Sequence, residues 1–173
     1  MKFEFLLYSS VVKSEFQFTA EALLNQESQL LIPSLDVSSA IEIGEIAKSF
    51  GTQRSLPIAV EVRIGDWIIY HASLPGSSSE NQWWIDRKAR VVLLKHHSTI
   101  YERVSSEERG VNWHKENNLF DETHAIHGGG LPLITKDKGF VGVLLISGLP
   151  QVEDHLLGVE VLTEFLARKG ELL

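Results

Sequence analysis

The chain has no cysteine. Disulfides, thiol nucleophiles and thiolate-held metals are thereby excluded. Methionine occurs only as Met1, so an internal thioether ligand is absent as well. There is no basic run. Sixteen Lys and Arg against 23 Asp and Glu give a net charge of −7, which argues against nucleic acid or an anionic membrane surface as partner. No apolar run has membrane length. The longest, Phe140 to Ile146, falls far below the roughly 20 residues of a spanning helix. The start, MKFEFLLYSS, is too short in its apolar stretch for a secretory signal. The expectation is a cytoplasmic protein. Dinucleotide-binding, P-loop, zincin and nucleophile-elbow motifs are missing too.

What is present is 173 residues, 43% of them hydrophobic, enough for one domain over 1–173 with a real core. Thr19 can cap a helix from Ala20 to about Ser28. Asp36 or Ser39 can cap a second over 38–50, with Ser39 and Glu42 as a capping box and Gly51 ending it. Leu30 to Ile32 reads as a short strand. Pro57 to Ile64 alternates, Gly65-Asp66 is a hairpin loop, and Trp67 to Leu74 is the return strand. Without a bulge, Val60 opposes His71 and the imidazole joins the apolar face. Ser79, with Gln82, can cap a helix to about His96, carrying Asn81, Trp84, Ile85, Lys88, Val91 and Val92 on one side, while Arg87 points elsewhere. Ser105 to Asn118 reads as loop. Leu131–Thr135 and Phe140–Ser147 form another hairpin. The second of these strands is apolar at nearly every position, so helices should cover both faces of the sheet. A last helix begins near Pro150, its stripe made by Leu156, Val159, Leu162 and Leu166, with Leu157, Val161 and Phe165 beside it.

Three clusters offer chemistry. Between His71 and Val92, a Pro-Gly turn and a serine run lead into a helix start. Such a start holds anions, and Asn81 and Lys88 on one face would add an amide and a cation. Lys88 equally fits a side chain snorkelling to water. Around His124 and His127-Gly-Gly-Gly, two imidazoles three apart suit a divalent metal or plain structural histidines, and the glycines permit close approach. The glycines also echo an esterase oxyanion loop, but no nucleophile elbow accompanies them. In Ser147 to His155, adjacent Asp154 and His155 point apart on a helix and cannot form a hydrolase relay. Glu153 and Asp154 suit a helix start without any further role.

An ordered set of segments carries a family resemblance. It comprises His71 with Leu74-Pro75-Gly76; Asn81, Trp84, Ile85, Arg87 and Lys88; His97-Ser98; His127-Gly128-Gly129 with Pro132; and Ser147-Gly148-Leu149-Pro150-Gln151 with Glu153-Asp154-His155. In this the chain resembles a family within the haem-degrading domain superfamily, alongside GlcG-like and haem-binding sensor-like proteins. The match covers about residues 36–166. Residues 1–28 match nothing and read as an N-terminal extension to a core over 29–170. Gly130-Leu131 stands where an aromatic often precedes the proline.

The resemblance implies an α+β, three-layer, profilin-like fold with a five-stranded, mostly antiparallel sheet flanked by helices. It also implies a homo-oligomer. Superfamily relatives bind haem or act beside cobalamin and glycolate metabolism, while this branch has no assigned reaction. Haem is thus a cofactor by resemblance only, with His71, His97 or His127 as axial ligand. The expected site lies between the 76–88 turn-helix and the His127-Gly128-Gly129 segment, at a subunit contact. Leu74 and Trp84 would wall it, and Asn81, Arg87 and Lys88 would orient a small anionic ligand, such as haem, another carboxylated tetrapyrrole or a small acid. Two alternatives stand beside binding. One is an enzyme using His71 or His127 as base and Lys88 as electrostatic stabiliser. The other is an assembly protein without catalysis.

Overall fold

The computed structural model describes residues 18–171. Helix α1 (Ala20–Gln29) is capped by Thr19, and α2 (Val37–Gln53) by Asp36. Ser39 completes the α2 box from inside the helix, so Asp36 is the cap and Ser39 its reciprocal partner. Strands β1 (Ala59–Ile64) and β2 (Trp67–Ser73) form the first hairpin. Helix α3 (Ser79–Lys95) follows, then α4 (Thr99–Glu108) and the short α5 (Trp113–Asn117). Strands β3 (Gly130–Thr135) and β4 (Gly139–Ser147) make the second hairpin, and α6 (Gln151–Arg168) closes the described chain. Residues 1–17, most of the expected N-terminal extension, lie outside the described residues.

The sheet is antiparallel with the order β2-β1-β4-β3. Among the described residues it has four strands, not the expected five. Leu30 to Ile32 contributes a single bridge, Ile32 to Thr135, in which Ile32 N–H donates to Ile134 C=O at 2.9 Å. Pro33 follows at once and has no N–H with which to extend the ladder. The continuous apolar pattern of β4 has the expected cause. Leu144 and Ile146 pack with α2 and α6, while Val143 and Leu145 face Ile85, Ala89 and Val92 of α3. On α6 the buried face centres on the flanking residues of the expected stripe together with its Leu162 and Leu166. Leu157, Val161, Leu162, Phe165 and Leu166 are buried, whereas Leu156 and Val159 are half-buried.

One register shift matters for the site. A bulge between Val62 and Arg63 adds a residue to β2, so Glu61, not Val60, opposes His71. A one-residue slip moves every side chain beyond it to the other face. His71 therefore leaves the apolar face and joins Glu61 on the α3 side. The stretch expected to be loop after Ser105 is instead mostly helical. Ser98 caps α4, whose Ile100 and Val104 pack with Leu23 of α1, and Asn112 caps α5, whose Trp113 is buried.

Candidate functional site

Helix α3 opens one residue earlier than its serine run suggested. Ser78 is the cap and Asn81, rather than Gln82, completes the box: Ser78 N–H donates to Asn81 Oδ1 at 2.8 Å. The cap commits the Asn81 carbonyl, while its Nδ2 reaches Ser147 Oγ at 3.4 Å. Two turns on, Lys88 is 2% exposed. Its ammonium donates to Ile146 C=O at 2.9 Å and to Asp154 Oδ2 at 3.0 Å, two of its three N–H bonds. The other Asp154 oxygen accepts from Leu149 N–H at 3.0 Å. Burial lowers the Lys88 pKa and raises that of Asp154, the pair attraction opposing both. A buried lysine needs a neutralising partner, and Asp154 supplies it from the first turn of α6.

These groups line an open cleft of about 330 Å³ between the start of α3, the 147–150 turn and the start of α6. Trp84 and His127 form one wall, with ring centroids 4.7 Å apart and edge-to-face. His127 Nδ1 is buried with no hydrogen-bond partner, and desolvation is the main cause lowering its pKa. No side chain caps α6; Glu153 N–H donates to Pro150 C=O at 2.8 Å, and Leu149 and Gln151 at this helix start line the cleft. Glu80, Ser147 and Gly148 complete the lining.

Gly128 and Gly129 do not line the cleft but determine how closely it closes. At Gly129, φ is +116°, and a Cβ would stand 2.3 Å from Ile146 O and 2.7 Å from Lys88 Nζ. Gly128 N–H donates to Gln151 Oε1 at 3.3 Å, and a Cβ there would meet Gln151 O. Only residues without a side chain let this segment lie against the start of α6, the Ile146 carbonyl and the Lys88 ammonium.

The remaining candidates stand elsewhere. His71 Nδ1 lies 3.1 Å from Glu61 Oε2, and its Nε2 lies 3.1 Å from Ser73 Oγ. Glu61 is 1% exposed and also accepts from Arg63 Nε and Gln82 Nε2. His71 thus belongs to a charged network between sheet and α3, away from the cleft. Arg87, expected to point away from the buried stripe, is itself buried. Its guanidinium lies 4.0 Å from the Trp83 ring centroid and 4.4 Å from that of Trp84, and it bonds the Asp121 carbonyl and carboxylate. Aromatic faces and the Asp121 oxygens hold the cation where water does not, while Nη1 is buried without a hydrogen-bond partner. It supports the back of Trp84 and does not line the cleft. His97 Nδ1 lies 2.7 Å from Glu27 Oε2, tying α1 to the start of α4, and this bond raises its pKa. Leu74 lines a separate small hollow beside Gly51.

Of the sequence candidates, Asn81, Trp84, Lys88 and His127 meet in one cleft, with Gly128 and Gly129 behind it. Asp154, Ser147 and Gln151 were not singled out as site residues. The signal for Asp154 was Lys88 itself, since a lysine centred in an apolar stripe demands a carboxylate. Among the described residues no cluster of His, Asp or Glu suits a metal ion, and His124 and His127 do not share a helical turn. No helix among them is long and apolar enough to cross a membrane.

The chain matches the family model described as haem degrading protein, HbpS-like, over residues 35–163. A UPF0303 protein of Streptomyces avermitilis is 37% identical over 150 residues, covering 87% of this chain and 92% of that protein. Among solved structures, the Ybr137w protein superposes with a TM-score of 0.79 at 23% identity, over 86% of this chain and 88% of that one. A PduOC:heme complex superposes with a TM-score of 0.64 at 15% identity, over 75% and 94%. At these identities the two structures speak for the fold alone.

Proposed function

The chain belongs to the HbpS-like family of haem-degrading proteins, and from that premise we propose that it binds a small carboxylated ligand in the Lys88 cleft. The observation that carries this reading is the ammonium of Lys88, buried at the cleft floor with one N–H uncommitted. The uncapped start of α6 adds backbone donors and the positive end of a helix dipole. Asn81 and Ser147 supply neutral polar contacts, and Trp84 an apolar wall. The cleft volume lies at the low end of the ~300–1,000 Å³ usual for small-molecule sites. That suits an acid of a few carbons enclosed whole, or one edge of a larger ligand.

Haem is the second reading, favoured by the family and by one side chain. His127 lines the cleft, and burial lowers its pKa, which favours the neutral imidazole that binds iron. His71 and His97 are each held on carboxylates instead. Bound haem would supply iron redox chemistry. Lys88 and Asn81 would hold a propionate, and His127 would bind the iron.

Titrating the purified protein with propionate, followed by Trp fluorescence, and with haem, followed by the Soret band, tests both readings. Saturable propionate quenching that is lost in Lys88→Met is the expected result. His127→Ala is expected to abolish the Soret shift and to spare propionate binding. No saturation, or a Lys88→Met variant that binds like the parent, refutes the site. The homo-oligomer implied by the resemblance is checked by sedimentation, where a single species at the monomer mass speaks against it.

A further inference from the structure

Burial alone accounts for the pairing of Lys88 with Asp154, but not for placing that pair at the lining of a cleft. A lysine that serves only as a cation is strongest when its charge is unshared. This charge is already balanced by Asp154 at 3.0 Å, inside the protein, while the amine still fronts a cleft open to small molecules. We propose that Lys88 captures small 2-oxo acids covalently, as an imine, with Asp154 carrying the protons. The proposal rests on the reading that the cleft takes a small carboxylate.

The geometry supplies each requirement. An attacking amine must be neutral, and the Asp154 oxygen is within hydrogen-bond distance to take its proton. Passing that proton leaves two neutral groups, which a dry site tolerates better than charges. The burial that lowers the Lys88 pKa and raises that of Asp154 acts in the same direction. Of the three positions around Nζ, Ile146 O and Asp154 Oδ2 occupy two, and the third is uncommitted. Gly129 leaves room beside the nitrogen that a Cβ, 2.7 Å from it, would take. Ser147 and Asn81 line the same cleft and offer hydrogen bonds to an oxygen on the reacting carbon. The first-turn N–H groups of α6 suit a carboxylate on the neighbouring carbon. A carbonyl next to a carboxylate is a 2-oxo acid, and the cleft has room for one of a few carbons.

The step balances without an outside reagent. Lys88 passes a proton to Asp154, and neutral Nζ adds to the carbonyl carbon. The carbonyl oxygen takes two protons by way of Asp154, one at addition and one at departure, and leaves as water. One C=N bond replaces one C=O bond and no electrons are exchanged. The product is an iminium paired with the Asp154 carboxylate, the same charge balance as the starting ammonium pair.

The test is reductive trapping on the full chain. The protein is incubated with pyruvate and cyanoborohydride at neutral pH, and the carboxyethyl adduct is mapped lysine by lysine. Burial lowers the basicity of Lys88 and so raises its neutral fraction, and its adduct is expected to form severalfold faster than those of exposed Lys136 and Lys138. Comparing lysines within one wild-type chain needs no variant to fold. In Lys88→Arg the fast adduct is expected to vanish. Labelling of surface lysines with Lys88 spared, while propionate still quenches Trp fluorescence, overturns imine formation and leaves the binding reading standing. Absence of both the Lys88 adduct and propionate quenching overturns the two together.

Discussion

Acid should weaken this fold through one histidine. His155, on α6, is 1% exposed. One ring nitrogen, Nε2, lies 2.7 Å from Gln26 Oε1, while Nδ1 is buried without a partner. The Phe18 ring packs edge-on at 5.8 Å. Nothing there welcomes a second proton, and burial pushes the pKa from 6.5 down to about 4. An unfolded chain takes up that proton near 6.5, the native chain only near 4. Stability is therefore full above the unfolded value and falls as pH drops towards the folded one. At about 1.4 kcal/mol per unit, the gap amounts to about 3 kcal/mol, most of it lost between about pH 7 and 4.5. Burial lowers the pKa of His124 and His127 as well, which adds loss of the same sign. His97 acts oppositely, because its raised pKa stabilises at low pH and the benefit fades as pH rises. Urea unfolding of wild type and His155→Gln across this range isolates the residue. Gln still offers Gln26 a hydrogen-bonding group and cannot titrate. The difference between the two chains should shrink by about 3 kcal/mol on acidification. Parallel acid profiles in the two proteins would refute the reasoning.

Three further outcomes follow from the cleft. Asp154→Asn leaves the buried Lys88 charge unpaired and should cost ~3–5 kcal/mol in urea unfolding; Lys88→Met combined with Asp154→Leu should regain most of it. Gly129→Ala forces an L side chain to a φ of +116° against Ile146 O and Lys88 Nζ, and should cost at least ~2 kcal/mol and abolish propionate quenching. His71→Ala should leave propionate binding unchanged, since His71 belongs to the Glu61 network, and titration calorimetry checks this.

Much of the architecture was readable along the chain. The unbroken apolar run of β4 foretold cover on both faces. The stripe of α3 centred Lys88 among Ile85, Val91 and Val92, but such a lysine reads first as snorkelling to water, and the structure buries it instead because Asp154 and the Ile146 carbonyl take its ammonium. What escaped was set by single local events or by distant partners. A bulge at Val62/Arg63 leaves no mark in the alternation of β1, yet it decides which face His71 takes. Arg87 looked like a surface cation, although Trp83 and Trp84 stand four and three residues earlier, the helical spacings that bring ring faces under a guanidinium. Helix α4 was hidden by its polar composition. Its burial depends on α1, more than seventy residues upstream, through Leu23 and the Glu27 carboxylate. Asp154 looked like an ordinary acidic residue near a helix start, and only the tertiary fold sets it against Lys88.

The buried ion pair also has a polarity. Asp154 spends one oxygen on the lysine and the other on the peptide N–H of Leu149, at the positive end of α6. Exchanging the two residues would preserve formal charge and composition. It would also aim an ammonium at an amide donor and at the wrong pole of the helix, while the acid on α3 confronted the Ile146 carbonyl. The two halves of this pair are therefore not interchangeable, and charge bookkeeping alone would miss it.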